Sequence, residues 1–553
     1  MKAKRRILIV GGVAGGASAA AKARRVSESA EIHVFERGPY ISFANCGLPY
    51  HIAGEITDRE QLVVMTPERF KARSEIFAHT GHEVLAIHRE RKTITVRGGD
   101  GAEREERYDK LVLSQGARPF VPALPGVDLP HVFTLRDIPD MDRIVEAINT
   151  GKPQRAVVIG GGFIGLEMAE AFIHRGMHVT LVEKNPHILP LMDLDMALHL
   201  QESLPKGALE FRFNAKVTGF SKEAVNFEEG ADLPADLVLL SAGVRAEVEL
   251  AREAGLEIGP TGGVRTNGRM ETSDPDIYAV GDAAETIHVV SGARARIALA
   301  GPANRQGRIA GANAAGARLN FPGVLGTSIV RILNMTAGFT GLSSKQASAA
   351  GFSFFTSLTR DSSHAHYYPG ATPVLIKLVA EEGTGRLLGA QVVGQKGIDK
   401  RVDVLATAIT ARLSVFDLES LDLAYAPPFG SANDPVNTAG FVAGHIARGD
   451  VASVAPESWR PSNELLLDVR DADEIAAWGK LAGALHIPLF ELRTRVGELP
   501  KDRQIVSYCQ KGQRGYLATC ALQGLGFEKV SNLRGGFLQA RLNGFLLEGA
   551  PAH

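Results

Sequence analysis

Cysteine is scarce in this sequence: Cys46, Cys509 and Cys520 are the only three in 553 residues. Three thiols so far apart exclude a disulfide framework and a thiolate zinc site, and they fit a reducing, cytoplasmic setting. An excess of either charge is missing as well. Sixty-one basic against 62 acidic residues leave a formal net charge of −1, so no global field draws in nucleic acid or an anionic membrane. Nowhere do eighteen apolar residues follow one another, so no membrane-spanning helix is expected. The start MKAKRRILIVGGVAGGASAAAKA imitates a secretory signal. Its apolar run covers only residues 7–10 before glycines break it, and cleavage would remove a glycine turn that has a use of its own. Small molecules are therefore the expected partners.

What is plentiful is glycine, 60 residues, together with enough apolar material (45%) for several cores of about 150 residues each. Two segments look alike. RAVVIGGGFIGLEMAEAFIHRGMHVTLVEK reads as strand, glycine turn, helix, strand and acid, and Gly160, Gly162 and Gly165 satisfy GxGxxG. Glu183 lies 21 residues beyond Gly162. Such glycines let backbone N–H groups at a helix start face a pyrophosphate, and the carboxylate accepts hydrogen bonds from a ribose. Glu183 would repel a 2′-phosphate, favouring NADH, although adjacent Lys184 leaves NADPH open. The other copy, RRILIVGGVAGG closed by IHVFER, places Gly11, Gly12, Gly16 and Glu36 in the same roles, with Val13 where the middle glycine is expected. A distant segment, TSDPDIYAVGDAAE, runs a short apolar strand into a Gly-Asp turn at Asp282.

These features, together with Cys46, resemble the pyridine nucleotide-disulfide oxidoreductase family. The resemblance implies an α/β protein with two Rossmann-like domains: one for FAD, residues 1–150 and 271–330, the other for NAD(P)H, residues 151–270. Asp282 would hold the ribityl chain of FAD. An α+β dimerisation domain, 331–450, implies a homodimer. Residues 451–463 lose periodicity, contain two prolines and read as a linker. The last stretch, 464–553, resembles an α/β rhodanese domain in its strand-DVR opening (Asp468, Arg470), its cysteine loop and its closing Gly-Gly turn. One departure is Lys480, where many relatives carry histidine.

Cys46 lies in SFANCGLPY with no second cysteine nearby. Many family members pair two cysteines, whereas a lone flavin-facing thiolate stores oxidising equivalents only as a sulfenic acid, or as a mixed disulfide or persulfide with a visiting sulfur. The words GGVAGG and SFANCGLPY resemble the coenzyme A-disulfide reductase subgroup. The peroxidase-like relatives carry a histidine in the first glycine turn, where this chain has Val13 and Ala14. In the subgroup two tyrosines from the partner's interface domain approach the cysteine, and Tyr367 and Tyr425 match their motifs, HAHYYPG and LDLAYAPPFG. A phenol there hydrogen-bonds or protonates a leaving thiolate. His364 and His366 are expected to be solvent-facing turn residues. Arg25, Lys71 and Arg73 are candidates for the phosphates of coenzyme A, bound as thiol or as substrate, and the polar neighbours Ser42 and Asn45 join the substrate-binding candidates.

In CQKGQR the loop from Cys509 to Arg514 presents backbone N–H groups at a helix start, a setting that stabilises an anionic persulfide, with Lys511 and Arg514 adding positive charge. One residue shorter than a phosphatase loop, it favours sulfur over phosphate. Cys520 is expected in the core. No residues suggest a metal site. The whole reads as an FAD- and NADH-dependent reductase of coenzyme A persulfide, coenzyme A disulfide or polysulfide, with Cys46 and Cys509 as the reactive thiols. An NADH oxidase or peroxidase cycling a cysteine sulfenic acid is the alternative, and a non-enzymatic sulfur carrier or redox sensor a third reading.

Overall fold

The two glycine-turn segments fold alike. Strand Arg6–Val10, helix Ala14–Val26 and strand Glu31–Glu36 form one βαβ unit; Arg155–Ile159, Phe163–His174 and His178–Val182 form the other. Each opening strand is a continuous apolar run because it lies in the middle of an all-parallel sheet, where Ile7, Leu8 and Ile9 are fully buried. The first sheet runs Ile277–Ala279, Lys110–Leu113, Arg6–Val10, Glu31–Glu36, Ile76–Thr80. The second runs Val132–Phe133, Leu237–Leu240, Arg155–Ile159, His178–Val182, Glu210–Arg212. In both, the strand order reverses at the opening strand, which leaves a crevice at the carboxyl ends where the glycine turn sits. Both also insert a three-stranded antiparallel sheet between the third and fourth strands of the series, Glu83–Arg107 in one and Val217–Pro234 in the other.

This computed structural model describes residues 4–207 and 209–549; the outermost residues of the first and last domain assignments lie outside that range. The chain forms two compact units, one of residues 1–188 and 205–326, the other of residues 189–204 and 327–553. In the first, helix Ala14–Val26 lies against helix Ala300–Ala314 with almost no space between backbones. A Cβ on Gly307 would stand 2.2 Å from the Gly15 carbonyl oxygen, and one on Gly311 would stand 2.1 Å from that of Ala19. Ser18 donates to Asn304 across the same seam (2.6 Å).

The second unit holds an antiparallel five-stranded sheet in the order Ser328–Ile332, Met335–Gly341, Leu387–Gly394, Pro373–Glu381, Phe354–Ser362. Residues 189–204, placed by sequence in the nucleotide-binding insert, belong to this unit. Their helix, Leu194–Ser203, is pinned by Lys377, whose buried ammonium donates to both oxygens of Asp195 (2.8 and 2.7 Å) and pairs with Asp193 (3.1 Å). Burial alone would lower the pKa of this ammonium; the two carboxylates outweigh it and leave the pKa raised.

The last sheet is parallel: Ser453–Val454, Val530–Leu533, Ile505–Tyr508, Leu465–Asp468, Leu485–His486. Its edge strand, Ser453–Val454, comes from the segment expected to be a linker, and Trp459 of that segment packs on Phe545 (ring centroids 6.2 Å apart). Two prolines masked this from the sequence, since an edge strand of two residues leaves no periodic trace.

The glycine seam yields a test. Gly311→Ala forces a methyl into a backbone oxygen, and denaturant unfolding of the first unit is expected to lose at least about 1–3 kcal/mol. Gly151→Ala in the same unit, whose Cβ meets nothing within 4 Å, is expected not to lower the unfolding midpoint.

Candidate active sites

Each glycine turn is closed by the acid that follows it. The Gly12 N–H donates to Glu36 Oε2 and the Gly38 N–H to Glu36 Oε1, both at 2.8 Å. In the second unit of the repeat the Gly161 N–H donates to Glu183 Oε2 (2.8 Å), and the Asn185 backbone and side-chain amides donate to Oε1 (2.9 and 2.6 Å). Sequence reasoning assigned both acids to a ribose; the structure shows that each first holds its own turn. A carboxylate has about four lone-pair sites, so each retains capacity for a ligand hydroxyl. Gly11 and Gly160 take φ of +93° and +111°, and a Cβ on Gly16 or Gly165 would lie 1.9 Å from a backbone oxygen. Gly162 differs, since a Cβ there would meet nothing within 4 Å. Open space therefore lies above this helix start.

Cys46 sits in a single helical turn, Asn45–Gly47, that leads into helix Leu48–Ala53, where Pro49 is tolerated in the first turn. Ser42 reaches this segment in the left-handed region (φ +46°). Its N–H donates to the Gly12 carbonyl (2.8 Å) and its carbonyl accepts from Val64 and Met65 (2.9 and 3.3 Å), so the cysteine segment hangs from the glycine turn through backbone. Ser42 thus positions the segment through its main chain. Asn45 and Cys46 are exposed, with Sγ 3.9 Å from Asn45 Oδ1. Although solvent reaches Sγ, the thiol is crowded by protein on its other sides; that burial, and then the charges of Glu167 and Asp282, push its pKa up.

Asp282 lies in the turn Gly281–Ala283, held by a Gly281 N–H bond to Gln306 (2.8 Å). Its own carboxylate makes no hydrogen bond among the described residues, and burial raises its pKa against the pull of Arg296 and Arg136. A half-buried carboxylate without a protein donor, beside glycines stripped of side chains, fits a polyhydroxylated dinucleotide. Gln115, whose side-chain amide is buried without a partner, was not foreseen and fits the same ligand. Arg25, Lys71 and Arg73 are exposed at the ends of helices Ala14–Val26 and Pro67–Ser74. The structure brings these ends together through Arg24, a buried residue that donates to the carbonyls of Ser74 (2.7 Å) and Glu75 (2.9 Å).

In the second unit the Tyr367 and Tyr425 hydroxyls meet at 3.1 Å, both rings exposed. The hydrogen bond to Tyr367 raises the Tyr425 pKa. Arg401, fully buried and unremarked in the sequence, holds the two loops: it donates to Ser363 carbonyl (2.8 Å) before Tyr367 and to Asp434 (2.8 and 3.2 Å) after Tyr425. Asp434 in turn caps helix Pro435–Arg448. Asp434 followed by Pro435 is a typical helix start, and its buried arginine partner lies 33 residues earlier in the chain. His364 is a correction: it is buried, its ring bonded to Ser363 Oγ (3.2 Å) and Pro369 carbonyl (3.3 Å), while His366 is exposed as expected.

Cys509 is buried at the end of strand Ile505–Tyr508, its sulfur accepting the Gly512 N–H (3.2 Å) ahead of helix Gln513–Gly524. The Gly-Gly turn closes over it: a Cβ on Gly536 would lie 2.2 Å from the Cys509 carbonyl oxygen. Arg470 and Asp468, both fully buried, form a pair (2.7 Å), and Arg470 also donates to Gln510 in the cysteine loop (3.1 Å). Lys511 is exposed. Arg514, expected to add free positive charge, is engaged by Asp471 and Glu474 (2.9 and 2.7 Å). Cys520 is a second correction: the thiol is half-buried rather than core, next to Tyr516, whose hydroxyl reaches His445 (3.2 Å). Lys480 bonds the Ala484 carbonyl (2.6 Å) and pairs with Glu548 (2.8 Å), a structural use.

Family models confirm the architecture. One described as pyridine nucleotide-disulphide oxidoreductase matches residues 5–307, one for that family's dimerisation domain 327–434, and one for a rhodanese-like domain 455–541. The chain belongs to the pyridine nucleotide-disulphide oxidoreductase family and carries a rhodanese-like domain after the dimerisation domain. The crystal structure of reduced Bacillus anthracis CoADR-RHD is similar over 98% of both chains, with 43% identity and a TM-score of 0.95. A NAD-dependent persulfide reductase from A. fulgidus is similar over 97% of this chain and 99% of its own, with 37% identity and a TM-score of 0.91. A CoA-dependent NAD(P)H sulfur oxidoreductase of Pyrococcus abyssi is 38% identical over 440 residues, 79% of this chain and 97% of that protein. Family membership implies FAD and NAD(P)H. Among the described residues no helix is long and apolar enough to cross a membrane.

Two outcomes follow from this geometry. Glu167→Gln removes a negative charge that raises the Cys46 pKa, so the thiolate fraction at neutral pH rises; iodoacetamide is expected to alkylate Cys46 faster, with the pH profile moved to lower pH. Gly162→Ala puts a methyl into the open space at the second helix start, and is expected to raise KM for the nicotinamide several-fold while flavin content stays at the wild-type level.

Proposed function

We propose that the protein is an FAD-dependent NADH oxidoreductase that reduces coenzyme A persulfide, coenzyme A disulfide or polysulfide through Cys46, with the rhodanese-like domain carrying sulfane sulfur on Cys509. Residues 1–150 and 271–330 bind FAD, 151–270 apart from the segment 189–204 bind the nicotinamide, 331–450 make a homodimer, and 464–553, with the edge strand Ser453–Val454, carry sulfur, in a reducing compartment such as the cytoplasm. The observation that carries the reading is Cys46 itself: exposed, at the head of a helix, and without a second cysteine in its compact unit. The substrate must supply the other sulfur. The similar proteins, named for CoA, persulfide and sulfur, support the same substrates.

Bound FAD and NADH supply the two electrons. Cys46 thiolate attacks one sulfur of a coenzyme A disulfide, forming a mixed disulfide and expelling coenzyme A thiolate; two electrons and a proton later release the second thiol and restore the thiolate. The raised pKa of Cys46 makes that sulfur a strong nucleophile once deprotonated. The paired hydroxyls of Tyr367 and Tyr425 are suited to hydrogen-bonding the expelled thiolate, and in a homodimer the partner supplies them. Arg25, Lys71 and Arg73 take the phosphates of coenzyme A, with Asn45 beside the sulfur. Buried Glu183 disfavours a 2′-phosphate, so NADH is preferred over NADPH.

At Cys509, the thiolate attacks the terminal sulfur of a polysulfide. A Cys509–sulfur bond forms, a sulfur–sulfur bond breaks, and a polysulfide dianion one atom shorter leaves, with no net redox change.

Cys46→Ser is expected to reduce NADH oxidation with coenzyme A disulfide or persulfide to background, and Cys509→Ser to impair mainly polysulfide use. Intact mass of unreduced protein, with coenzyme A released from Cys46 by dithiothreitol, identifies the thiol. Full activity in Cys46→Ser would overturn the reading, and rapid peroxide turnover with a sulfenic acid on Cys46 would favour the oxidase or peroxidase alternative.

A further inference from the structure

Two helices of the first unit end at the same place. Helix Leu48–Ala53, which follows the Cys46 turn, stops at Gly54 in the left-handed region (φ +88°), and the chain turns there into Glu55, whose N–H donates to the Tyr50 carbonyl (2.9 Å). Helix Phe163–His174, which follows the second glycine turn, packs against it and stops at Arg175. Arg175 ties the two ends together by donating from Nε to the Ile52 carbonyl (2.6 Å). Glu170 and His174 stand four residues apart on the longer helix and so share one face of it.

Between these helix ends Glu55, Glu170 and His174 each bring one ligand atom, two carboxylate oxygens and an imidazole nitrogen, all within 4.8 Å of one another. Among the described residues no other three acids, histidines or cysteines converge in this way. His174 Nδ1 lies 3.5 Å from Glu55 Oε1. That is long for a hydrogen bond. It is close to the edge, about 3.4 Å, of a tetrahedron whose centre holds a cation with bonds of about 2.0–2.1 Å. Burial divides the work. Glu170 is 4% exposed, so packing fixes its side chain, whereas the side chains of Glu55 and His174 are 37% and 40% exposed and lie open to an ion arriving from solvent. The backbone favours the same sign of charge, because His174 ends one helix and Glu55 lies just past the other, where terminal carbonyls carry partial negative charge. Arg175, the neighbouring cation in sequence, is already engaged by the Ile52 carbonyl. An imidazole beside two carboxylates suits first-row divalent metals better than the all-oxygen preference of calcium or magnesium. Spacing shows only the Glu170–His174 half of this set; Glu55 arrives through packing.

We propose that Glu55, Glu170 and His174 bind a first-row divalent cation, with water in the remaining positions, and that the bound ion clamps the helix behind Cys46 to the helix behind the second glycine turn. The site uses no cysteine and stands independently of the sulfur chemistry.

Mn2+ is the probe, because the thiols of Cys46 and Cys509 compete for the softer Zn2+. It is titrated into full-length holoenzyme, and the free ion is read from its EPR signal. One site per chain is expected. Loss of an outer-shell partner alone weakens metal sites about 10–100-fold, so Glu55→Gln and His174→Ala, both at the surface, are each expected to weaken binding at least about tenfold with flavin content unchanged. Buried Glu170→Gln is expected to do the same. Saturating Mn2+ is expected to raise the thermal unfolding midpoint of the wild type and to leave that of His174→Ala where it was. Absence of binding at millimolar Mn2+ overturns the proposal. So does binding that Glu55→Gln and His174→Ala leave at wild-type strength, which places the ion elsewhere, as on the phosphates of a bound dinucleotide. A wild-type midpoint that stays put at saturation overturns the clamp.

Discussion

A carboxylate that folds back onto the glycine turn before it underlies both nucleotide-binding repeats. Glu36 and Glu183 each accept the N–H groups of a glycine and of the residue two positions on, and so convert a flexible stretch into a fixed rim at the carboxyl edge of a sheet. Charge-assisted bonds of this kind are among the stronger ones available to a backbone. In the first repeat the constraint goes further, because the carbonyl of Gly12 holds Ser42 and through it the segment that bears Cys46. The segment that bears Cys46 and the first glycine turn are therefore joined by direct backbone hydrogen bonds.

The second unit is organised by buried cations instead. Lys377, Arg401 and Arg470 are each sunk in protein and each matched by carboxylates. Such pairs add little net stability compared with apolar packing, but a wrong arrangement would strand a charge, so each admits a single geometry. Arg401 thereby fixes two tyrosine loops 58 residues apart so that their hydroxyls meet.

The fold class, α/β with two Rossmann-like repeats, a dimerisation domain and a rhodanese-like domain, was legible because its determinants are local. Glycine spacing, an acid at the end of the next strand and a short cysteine loop each lie within a few dozen residues. So were the local settings of the two candidate cysteines, Cys46 in the turn before a helix and Cys509 directly after a strand. What escaped were partners made by long-range contact: Arg401 with Asp434, Lys377 with Asp195, and Arg514 with Asp471 and Glu474. His364 shows the same limit, since a turn rich in histidine and tyrosine looks solvated until Ser363 and Pro369 are seen to close around the ring. Period and spacing report which face of an element is apolar, not which distant side chain will cover a polar one.

The helix Leu194–Ser203 carries a consequence for synthesis on the ribosome. It interrupts the residues of the first unit yet belongs to the second, and its anchoring ammonium, Lys377, lies 182 residues later than Asp195. While the chain emerges, the second nucleotide-binding repeat closes around a segment whose acids have no counter-charge until that much more polypeptide has appeared. Domains generally complete as units during translation, N-terminal first. Here the order is interleaved. The chain passes between its two units three times, so no single break in the backbone separates them.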